Sequence, residues 1–227
     1  MVKIAILYHS RSLNVHKLAT TAAAYAEKAG AEVRLRRFPE LPQTMVVAKD
    51  AYAQLAEETK ENGFVTDEDL IWADSIMIGS PVHFGGPAPE IVHFFDHTAP
   101  IAVPGHLMTT TASVFASGSA SHSGAQTTLI QLYNMLAHWG CVIVPTGASV
   151  KLQLSPENGS PYGTCSISRH KVGHVHEDNL ALMEFQTQRV LEVTTALQLG
   201  LQQTESKIEY ASVQDVLDNF SDMSMDV

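Results

Sequence analysis

Residues 3–30 read KIAILYHSRSLNVHKLATTAAAYAEKAG, and this stretch decides the fold. After Lys3 the first residues are apolar and predict a buried strand. From Asn14 onward the apolar residues have helical spacing, and the pattern stops at Gly30, a residue type that commonly ends helices. A polar loop, HSRSLN, joins the two elements. A buried strand, a short loop and a helix in this order predict the first unit of a parallel α/β sheet.

The same alternation continues along the chain. Further strands are predicted at AEVRLRRF, SIMIG, TASVFAS and CVIVPTG, and the third strand is expected to stop before Ser80 and Pro81. Helices are predicted at AYAQLAEETKEN, APEIVHFFDHT and GAQTTLIQLYNMLAHWG, and a long helix covers residues 176–200. Five short apolar strands separated by helices indicate a doubly wound α/β fold, with a parallel sheet and helices on both faces.

The composition narrows the classes of function. The chain has 227 residues, of which 45% are hydrophobic and 17% charged, as in a soluble globular domain. Its formal net charge of -10 argues against a nucleic-acid partner, which needs a basic patch. No apolar run approaches membrane-spanning length, so we expect a cytoplasmic protein without a membrane partner. Cys141 lies in an apolar run and Cys165 in a polar loop; a disulfide between them stays open.

Three polar loops follow the first, third and fourth strands, at the sheet edge where doubly wound folds bind ligands. They read HSRSLN, GSPVHFGGP and ASGSASHSG. In the first, free N–H groups at a helix start and the hydroxyls of Ser10 and Ser12 suit a phosphate, whereas a helix cap by Ser12 or Asn14 is the alternative. In the second, Gly85 and Gly86 let the backbone approach a planar ligand. Together the loops predict one ligand site.

Five segments of the chain match a known family. They are ILYHS with the loop after it, IGSPVHFGGPAPEIVHFFDHT, ASVFASGSASHSGAQTTL, LAHWGCVIVPTG and SPYGTCSI. With them the chain resembles the WrbA-like family, the flavodoxin-fold NAD(P)H:quinone oxidoreductases that bind FMN. The resemblance is nearly collinear from Val2 to Leu199. It implies a flavodoxin-like five-stranded sheet in the order 2-1-3-4-5, an FMN-binding domain over residues 1–200, and an acidic extension over residues 201–227 outside the family pattern.

The resemblance also implies which residues bind FMN. The first loop would hold the phosphate, the third-strand loop would wrap the isoalloxazine ring, and the fourth-strand loop would contact the ring and the ribityl chain. His138, in LAHWG, matches a residue that reaches the flavin of a neighbouring subunit, so a homo-oligomer, either a dimer or a tetramer, is expected. The implied contacts are Ser10, Arg11, Ser12, Leu13, Asn14, Val15, Pro81, Val82, His83, Phe84, Ala116, Ser117, Gly118, Ser119, Ala120, Ser121 and His138.

Several positions depart from the family pattern. Leu13 stands where the family usually has a glycine, and Val15 where it has a small or hydroxyl residue. His83 replaces a frequent arginine, and Ala102 aligns with a tryptophan that covers the flavin. A leucine and a β-branched valine narrow the backbone options. We therefore expect a phosphate site of altered geometry, with Arg11 offsetting part of the loss.

The activity implied by the resemblance is hydride transfer from NAD(P)H through FMN to a quinone-type acceptor. His138 and His83 are the candidate catalytic residues, because imidazole titrates near neutral pH. Two alternatives stay open. One is an NAD(P)H-dependent flavin or azo reductase, which differs only in its acceptor. The other is a flavodoxin-fold regulatory or scaffold protein with weak or no FMN binding.

Two segments carry no assigned role at this point. In RHKVGHVHED, three histidines stand near Glu177 and Asp178. We predict a solvated loop rather than a metal site, because a bound metal needs ligands fixed by a second shell of contacts, and we expect no metal cofactor. In the extension, six acidic residues accompany one lysine, and Val213, Val216, Leu217 and Phe220 have helical spacing. A short docked helix and a frayed acidic tail are both open.

Overall fold

The computed structural model describes residues 1–42, 49–205, 208–215 and 217–218. A parallel sheet forms its centre, with the strand order β2-β1-β3-β4-β5. This order confirms the doubly wound flavodoxin-like prediction. The five strands are β1 (Lys3–Tyr8), β2 (Glu32–Arg37), β3 (Ser75–Pro81), β4 (Thr111–Gly118) and β5 (Val142–Ile143).

Helices cover both faces of the sheet, because successive residues of each central strand point to opposite sides. Ile4 and Ile6 of β1 belong to a core shared with the first and last helices, whereas Ala5 and Leu7 pack into the core on the other face. The helices are α1 (Asn14–Lys28), α2 (Lys49–Glu58), α3 (Asp67–Trp72), α4 (Pro89–Asp96), α5 (Ala99–Ala102), α6 (Ala125–His138) and α7 (Glu177–Leu201), with a 3-10 turn at Lys151–Leu154.

Two short strands pair with the same edge of β4. β5 pairs with the start of β4, and β6 (Cys165–Ile167), which the sequence pattern does not predict, pairs with its end. The N–H groups of Val142 and Val144 donate to the carbonyls of Thr110 and Ala112, but the next carbonyl in this series, that of Val114, accepts from Gln186 Nε2 instead. The chain leaves the sheet there and returns at Cys165, which therefore lies on a strand and not in a polar loop. Cys141 and Cys165 are both free thiols.

The prediction that the third strand stops at Gly79 is wrong by two residues. Ser80 and Pro81 continue β3 and lie opposite Ala116 and Ser117 of β4. Pro81 is tolerated because it is the final residue of the strand. These two additional residues of β3 prolong the sheet as far as the loops at its carboxyl edge.

The sequence pattern also leaves out two short helices, α3 and α5, which are too short to show a helical period. α3 forms because Thr66 and Asp69 make a reciprocal capping box. Among the described helices, none has the length and apolarity needed to cross a bilayer.

The acidic extension lies partly within the described residues. Residues 213–215 and 217–218 are helical with exposed side chains, and Val216 and Phe220 fall outside the described part. The ring of Tyr210 covers Gly105, where an added Cβ would lie 2.6 Å from it. The boundary at residue 200 stays a prediction.

Candidate functional site

The three polar loops lie side by side at the carboxyl edge of the sheet, as the sequence predicts. β1 and β3 are neighbours, with Tyr8 opposite Gly79, and β3 and β4 are neighbours, with Pro81 opposite Ser117. The N–H of Val82 donates to the carbonyl of Ser117 at 3.0 Å, so the third-strand and fourth-strand loops start in contact. The edge thus collects every predicted contact residue except His138.

The first loop turns into α1 through a left-handed residue. Leu13 has φ +64° and ψ -9°, a conformation that glycine adopts readily and that costs other residues about 1–2 kcal/mol. Leu13 thus adopts the conformation that suits the glycine usual at this position in the family it resembles. No side chain caps α1, so the alternative that Ser12 or Asn14 serves only as a helix cap is wrong. Instead, the Ser12 hydroxyl donates to Asn14 Oδ1 at 2.7 Å.

The first loop presents donors without acceptors, which fits a phosphate group. Among the described residues, the N–H groups of Ser12, Asn14 and Val15 have neither a backbone nor a side-chain acceptor. The Ser10 hydroxyl is buried and also has no hydrogen-bond partner there. The side chain of Val15 is buried in the core, so this residue can offer only its N–H. These donors and the positive end of the 15-residue α1 dipole suit an anion.

We expect the backbone strain at Leu13 to be measurable by comparing two substitutions that remove its side chain. Leu13→Ala and Leu13→Gly both remove the side chain, but only glycine removes the steric cost of the left-handed conformation. Leu13→Gly should therefore be the more stable variant by about 1 kcal/mol in urea denaturation. The matched control is Ala24→Gly at an exposed position of α1, which should lose about 1 kcal/mol. Equal stabilities of the two Leu13 variants would contradict the strain.

Arg11 does not extend freely from the first loop. Its Nη2 donates to Glu90 Oε1 of α4 at 2.7 Å, and its Nε donates to His9 Nε2 at 3.2 Å. On the other side, Arg37 Nη2 donates to Glu40 Oε1 at 3.2 Å. We refer to these five residues, namely His9, Arg11, Arg37, Glu40 and Glu90, as the buried charge cluster. The Arg11 guanidinium is thus engaged within the protein, beside the predicted phosphate site.

The buried charge cluster balances its own charge. Its two arginines offset its two carboxylates, and burial lowers the pKa of His9 to about 4, so this imidazole is neutral at pH 7. Burial and the neighbouring Glu90 carboxylate raise the pKa of Glu40. Ligand atoms of His9, Glu40 and Glu90 lie within 4.8 Å of one another, but the arginines already supply the positive charge that a divalent ion would bring. The cluster therefore fixes the first loop against α4.

The third-strand loop makes a tight turn that exposes an aromatic ring. His83 and Gly86 exchange backbone hydrogen bonds of 2.9 and 3.0 Å, and Phe84 has φ +51°. The Phe84 side chain is fully exposed. Strained backbone conformations of this kind cluster at ligand-binding sites, so Phe84 is a candidate ligand contact. Burial and the Arg11 guanidinium lower the pKa of the half-buried His83, which favours the neutral imidazole.

The fourth-strand loop offers small residues. Ala116, Ser117 and Gly118 end β4, and residues 119–121 form an exposed turn before α6. An added Cβ at Gly118 would lie 2.0 Å from the Ser123 hydroxyl, so the turn closes tightly here. These small side chains leave the edge between the third-strand and fourth-strand loops open.

Two residues that position the loops, Ser80 and Glu90, are not predicted from the sequence. The Ser80 hydroxyl accepts the N–H of Ala88 at 2.9 Å and so holds the third-strand loop against the start of α4. Glu90 anchors Arg11 from the first turn of α4. The available signal for Glu90 is a single acid within the apolar run APEIVHFF, which points to a buried partner of opposite charge.

His138 lies away from the three loops. It ends α6, which starts next to the fourth-strand loop and runs for 14 residues, or about 20 Å. His138 shares a groove of about 900 Å³ with Ala102, the residue that aligns with the family's tryptophan. The groove is open to solvent and follows α4 up to Pro87. Within one chain, His138 therefore does not join the other predicted contacts.

Comparisons with known proteins agree with this architecture. The model of the NADPH-dependent FMN reductase family matches residues 2–153. A protein of Rhizobium meliloti named NAD(P)H dehydrogenase (quinone) 3 is 32% identical over 206 residues, which cover 88% of this chain and 95% of that protein. A NAD(P)H dehydrogenase (quinone) of Deinococcus radiodurans is 32% identical over 197 residues, covering 86% and 97%.

Solved structures share the fold. The crystal structure of the flavodoxin, WrbA-like protein from Agrobacterium tumefaciens superposes with a TM-score of 0.59 at 18% identity, covering 86% of this chain and 99% of that one. A flavodoxin from Streptococcus pneumoniae gives a TM-score of 0.54 at 11% identity, covering 84% and 99%.

Proposed function

This chain belongs to the NADPH-dependent FMN reductase family, and on that premise we propose that it is an FMN-dependent NAD(P)H:quinone oxidoreductase. When bound, FMN supplies the redox chemistry, taking a hydride from NAD(P)H and passing the electrons to a quinone-type acceptor. The protein binds the cofactor, orients it and leaves one side accessible to the two substrates in turn.

The first loop is the observation that carries the proposal. Its backbone takes the left-handed turn at Leu13 without a glycine, and its N–H groups and the Ser10 hydroxyl have no acceptor among the described residues. Leaving such donors unpaired is costly when they are buried. A phosphate at the start of α1 satisfies them, which supports FMN as the cofactor.

The other two loops have roles that follow from their chemistry. Phe84 provides an exposed apolar surface for the edge of the isoalloxazine ring, and residues 116–121 provide a small-residue wall beside it. His83 is the candidate proton donor or acceptor on this side, since its lowered pKa keeps the imidazole neutral and able to accept a proton. His138 would act from a neighbouring subunit.

The test of the proposal is the absorbance spectrum of the purified protein, followed by titration with FMN. We expect bound flavin and, at FMN concentrations near 100 times Kd, about 2.7 kcal/mol of added stability. For a chain of this size this corresponds to an increase in Tm of roughly 5–10 °C. Stopped-flow mixing with NADH or NADPH should then bleach the flavin absorbance, and a quinone should restore it.

Three results would overturn the proposal. A colourless protein that gains no stability from FMN would favour the scaffold alternative. Bound flavin that neither nicotinamide reduces would exclude the oxidoreductase. Reoxidation by free flavins or azo dyes but not by quinones would favour the flavin or azo reductase.

The proposal extends to assembly, nicotinamide preference and location. We infer a homo-oligomer, either a dimer or a tetramer, because the groove that holds Ala102 and His138 is open in one chain and would meet a second copy. Light scattering that finds only a monomer in the presence of FMN would contradict this. NADH and NADPH are both candidate reductants. We also infer a cytoplasmic location, where both nicotinamides are present.

A further inference from the structure

The segment between β6 and α7, residues 168–176, crosses the carboxyl edge of the sheet, and we call it the strap. At one end the N–H of Ser168 donates to the carbonyl of Gly118 at 2.8 Å, beside the fourth-strand loop. Further along, the N–H of Gly173 donates to the carbonyl of Ser12 at 2.8 Å, in the first loop. The strap therefore connects the two loops between which the ribityl phosphate is expected.

Asn14 fixes the strap to the first turn of α1. Its Nδ2 donates to the carbonyl of Lys171 at 3.0 Å and to that of His174 at 2.9 Å, and the residue is buried. Both hydrogens of this amide are thereby used within the protein. Val175 adds an apolar anchor, since it is buried in the same core as Val15. The backbone at positions 171–174 is thus held next to the free N–H groups of the helix start.

The strap is rich in basic side chains, and one of its two formal positive charges, that of Lys171, has no acidic partner among the described residues. The sequence SRHKVGHVH contains one arginine, one lysine and three histidines in a chain of net charge -10. Arg169 pairs with Glu157, and His176 lies beside Asp178. In the described ranges, no acidic group lies within ion-pair distance of His170, Lys171 or His174. One unpaired cation, Lys171, and two imidazoles beside unpaired N–H donors favour an anionic ligand.

The first loop cannot supply this charge through its own arginine. Arg11 is bound to Glu90 and His9 in the buried charge cluster. Lys17 lies at the end of the first turn of α1 and is exposed. A phosphate monoester carries close to two negative charges at neutral pH. The strap is the element best placed to balance them.

We propose that Lys171 and His174 of the strap bind the 5′-phosphate of FMN together with the N–H groups of the first loop. This inference rests on the proposed function and adds two contact residues to it. It also gives RHKVGHVHED a role as an anion clamp, in place of a merely solvated loop.

The experiment compares binding of FMN with binding of riboflavin, which lacks the phosphate, by fluorescence titration of the flavin-free protein. Lys171→Gln and His174→Gln should each weaken FMN binding about five- to tenfold and leave riboflavin binding unchanged. Lys171→Gln should also reduce the dependence of FMN affinity on salt concentration. Lys171→Arg keeps the charge and should retain most of the affinity. Lys28→Gln, at the opposite end of α1, is the matched control and should change nothing.

The outcomes separate the inference from the proposed function. If the wild-type protein binds neither flavin, the proposed function fails before the strap is tested. If FMN binds and the strap variants leave the ratio of FMN to riboflavin affinity unchanged, the inference is overturned. It is also overturned if only Lys17→Gln weakens FMN binding, or if Lys171→Gln raises KM for NADPH but not for NADH and leaves FMN binding intact, since the phosphate would then be the nicotinamide's.

Discussion

Replacing Gly163 with alanine is expected to destabilise the fold by about 3 kcal/mol, near the upper end of the usual cost of overpacking. An added Cβ at Gly163 would lie 2.0 Å from the carbonyl oxygen of Val114 in β4. That oxygen also accepts a hydrogen bond from Gln186 Nε2 at 2.8 Å. Because the obstacle is the backbone of a central strand and not a flexible side chain, it cannot move aside cheaply.

The matched control is Gly200→Ala. Gly200 lies near the end of α7, and no atom lies within 4 Å of an added Cβ there. Alanine favours helices by about 1 kcal/mol over glycine, so this variant should be neutral or slightly more stable. Both variants can be compared in urea denaturation without FMN. A Gly163→Ala variant with the wild-type midpoint would contradict the close packing of SPYG against β4.

The second large effect is expected at Glu90, whose side chain is fully buried. Glu90→Gln keeps the shape of the side chain but leaves Arg11 and Arg37 opposed by Glu40 alone. Removing one partner from a buried ion pair typically costs 3–5 kcal/mol. Since Arg11 is partly exposed and glutamine still offers an acceptor, we expect the free energy of unfolding to fall by about 2–3 kcal/mol.

A double-mutant cycle distinguishes charge imbalance from lost packing. Arg11→Met combined with Glu90→Gln removes both charges, and the double variant should lose at least about 1 kcal/mol less than the sum of the single variants. Glu68→Gln is the control, because Glu68 is exposed and lies 3.8 Å from Arg34. It should cost less than about 0.5 kcal/mol. Additive effects of Arg11→Met and Glu90→Gln would show that the pair is not coupled.

Elements with strong local signals could be predicted from the sequence. The doubly wound fold and the shared edge of the three loops follow from apolar runs separated by helical periods, and these patterns are local. The strand order follows from the resemblance to the WrbA-like family and not from these patterns. Leu13 is a different case, because only the resemblance, through the glycine usual at this position, points to a special backbone conformation there.

Other features depend on contacts between distant parts of the chain. Glu90 and Arg11 are 79 positions apart, and no periodicity links them. The strap depends on Asn14, whose amide could equally have served as a phosphate donor or a helix cap. β6 is only three residues long and forms because β4 offers a free edge beyond β5. Such pairings are decided by tertiary packing, which single-sequence patterns do not encode.

Because β5 and β6 pair with different ends of β4, the two ends of this strand can lose their hydrogen bonds separately. The amide of Ala116 is protected by the carbonyl of Thr164, in the chain that returns through β6, whereas the amide of Val142 is protected by the carbonyl of Thr110. The start of β4 is therefore paired with β5, and its end is paired with the separate segment that contains β6. Release of the returning segment would expose Ala116 to hydrogen exchange and leave Val142 protected, so the ligand edge can unfold locally while the base of the sheet stays intact.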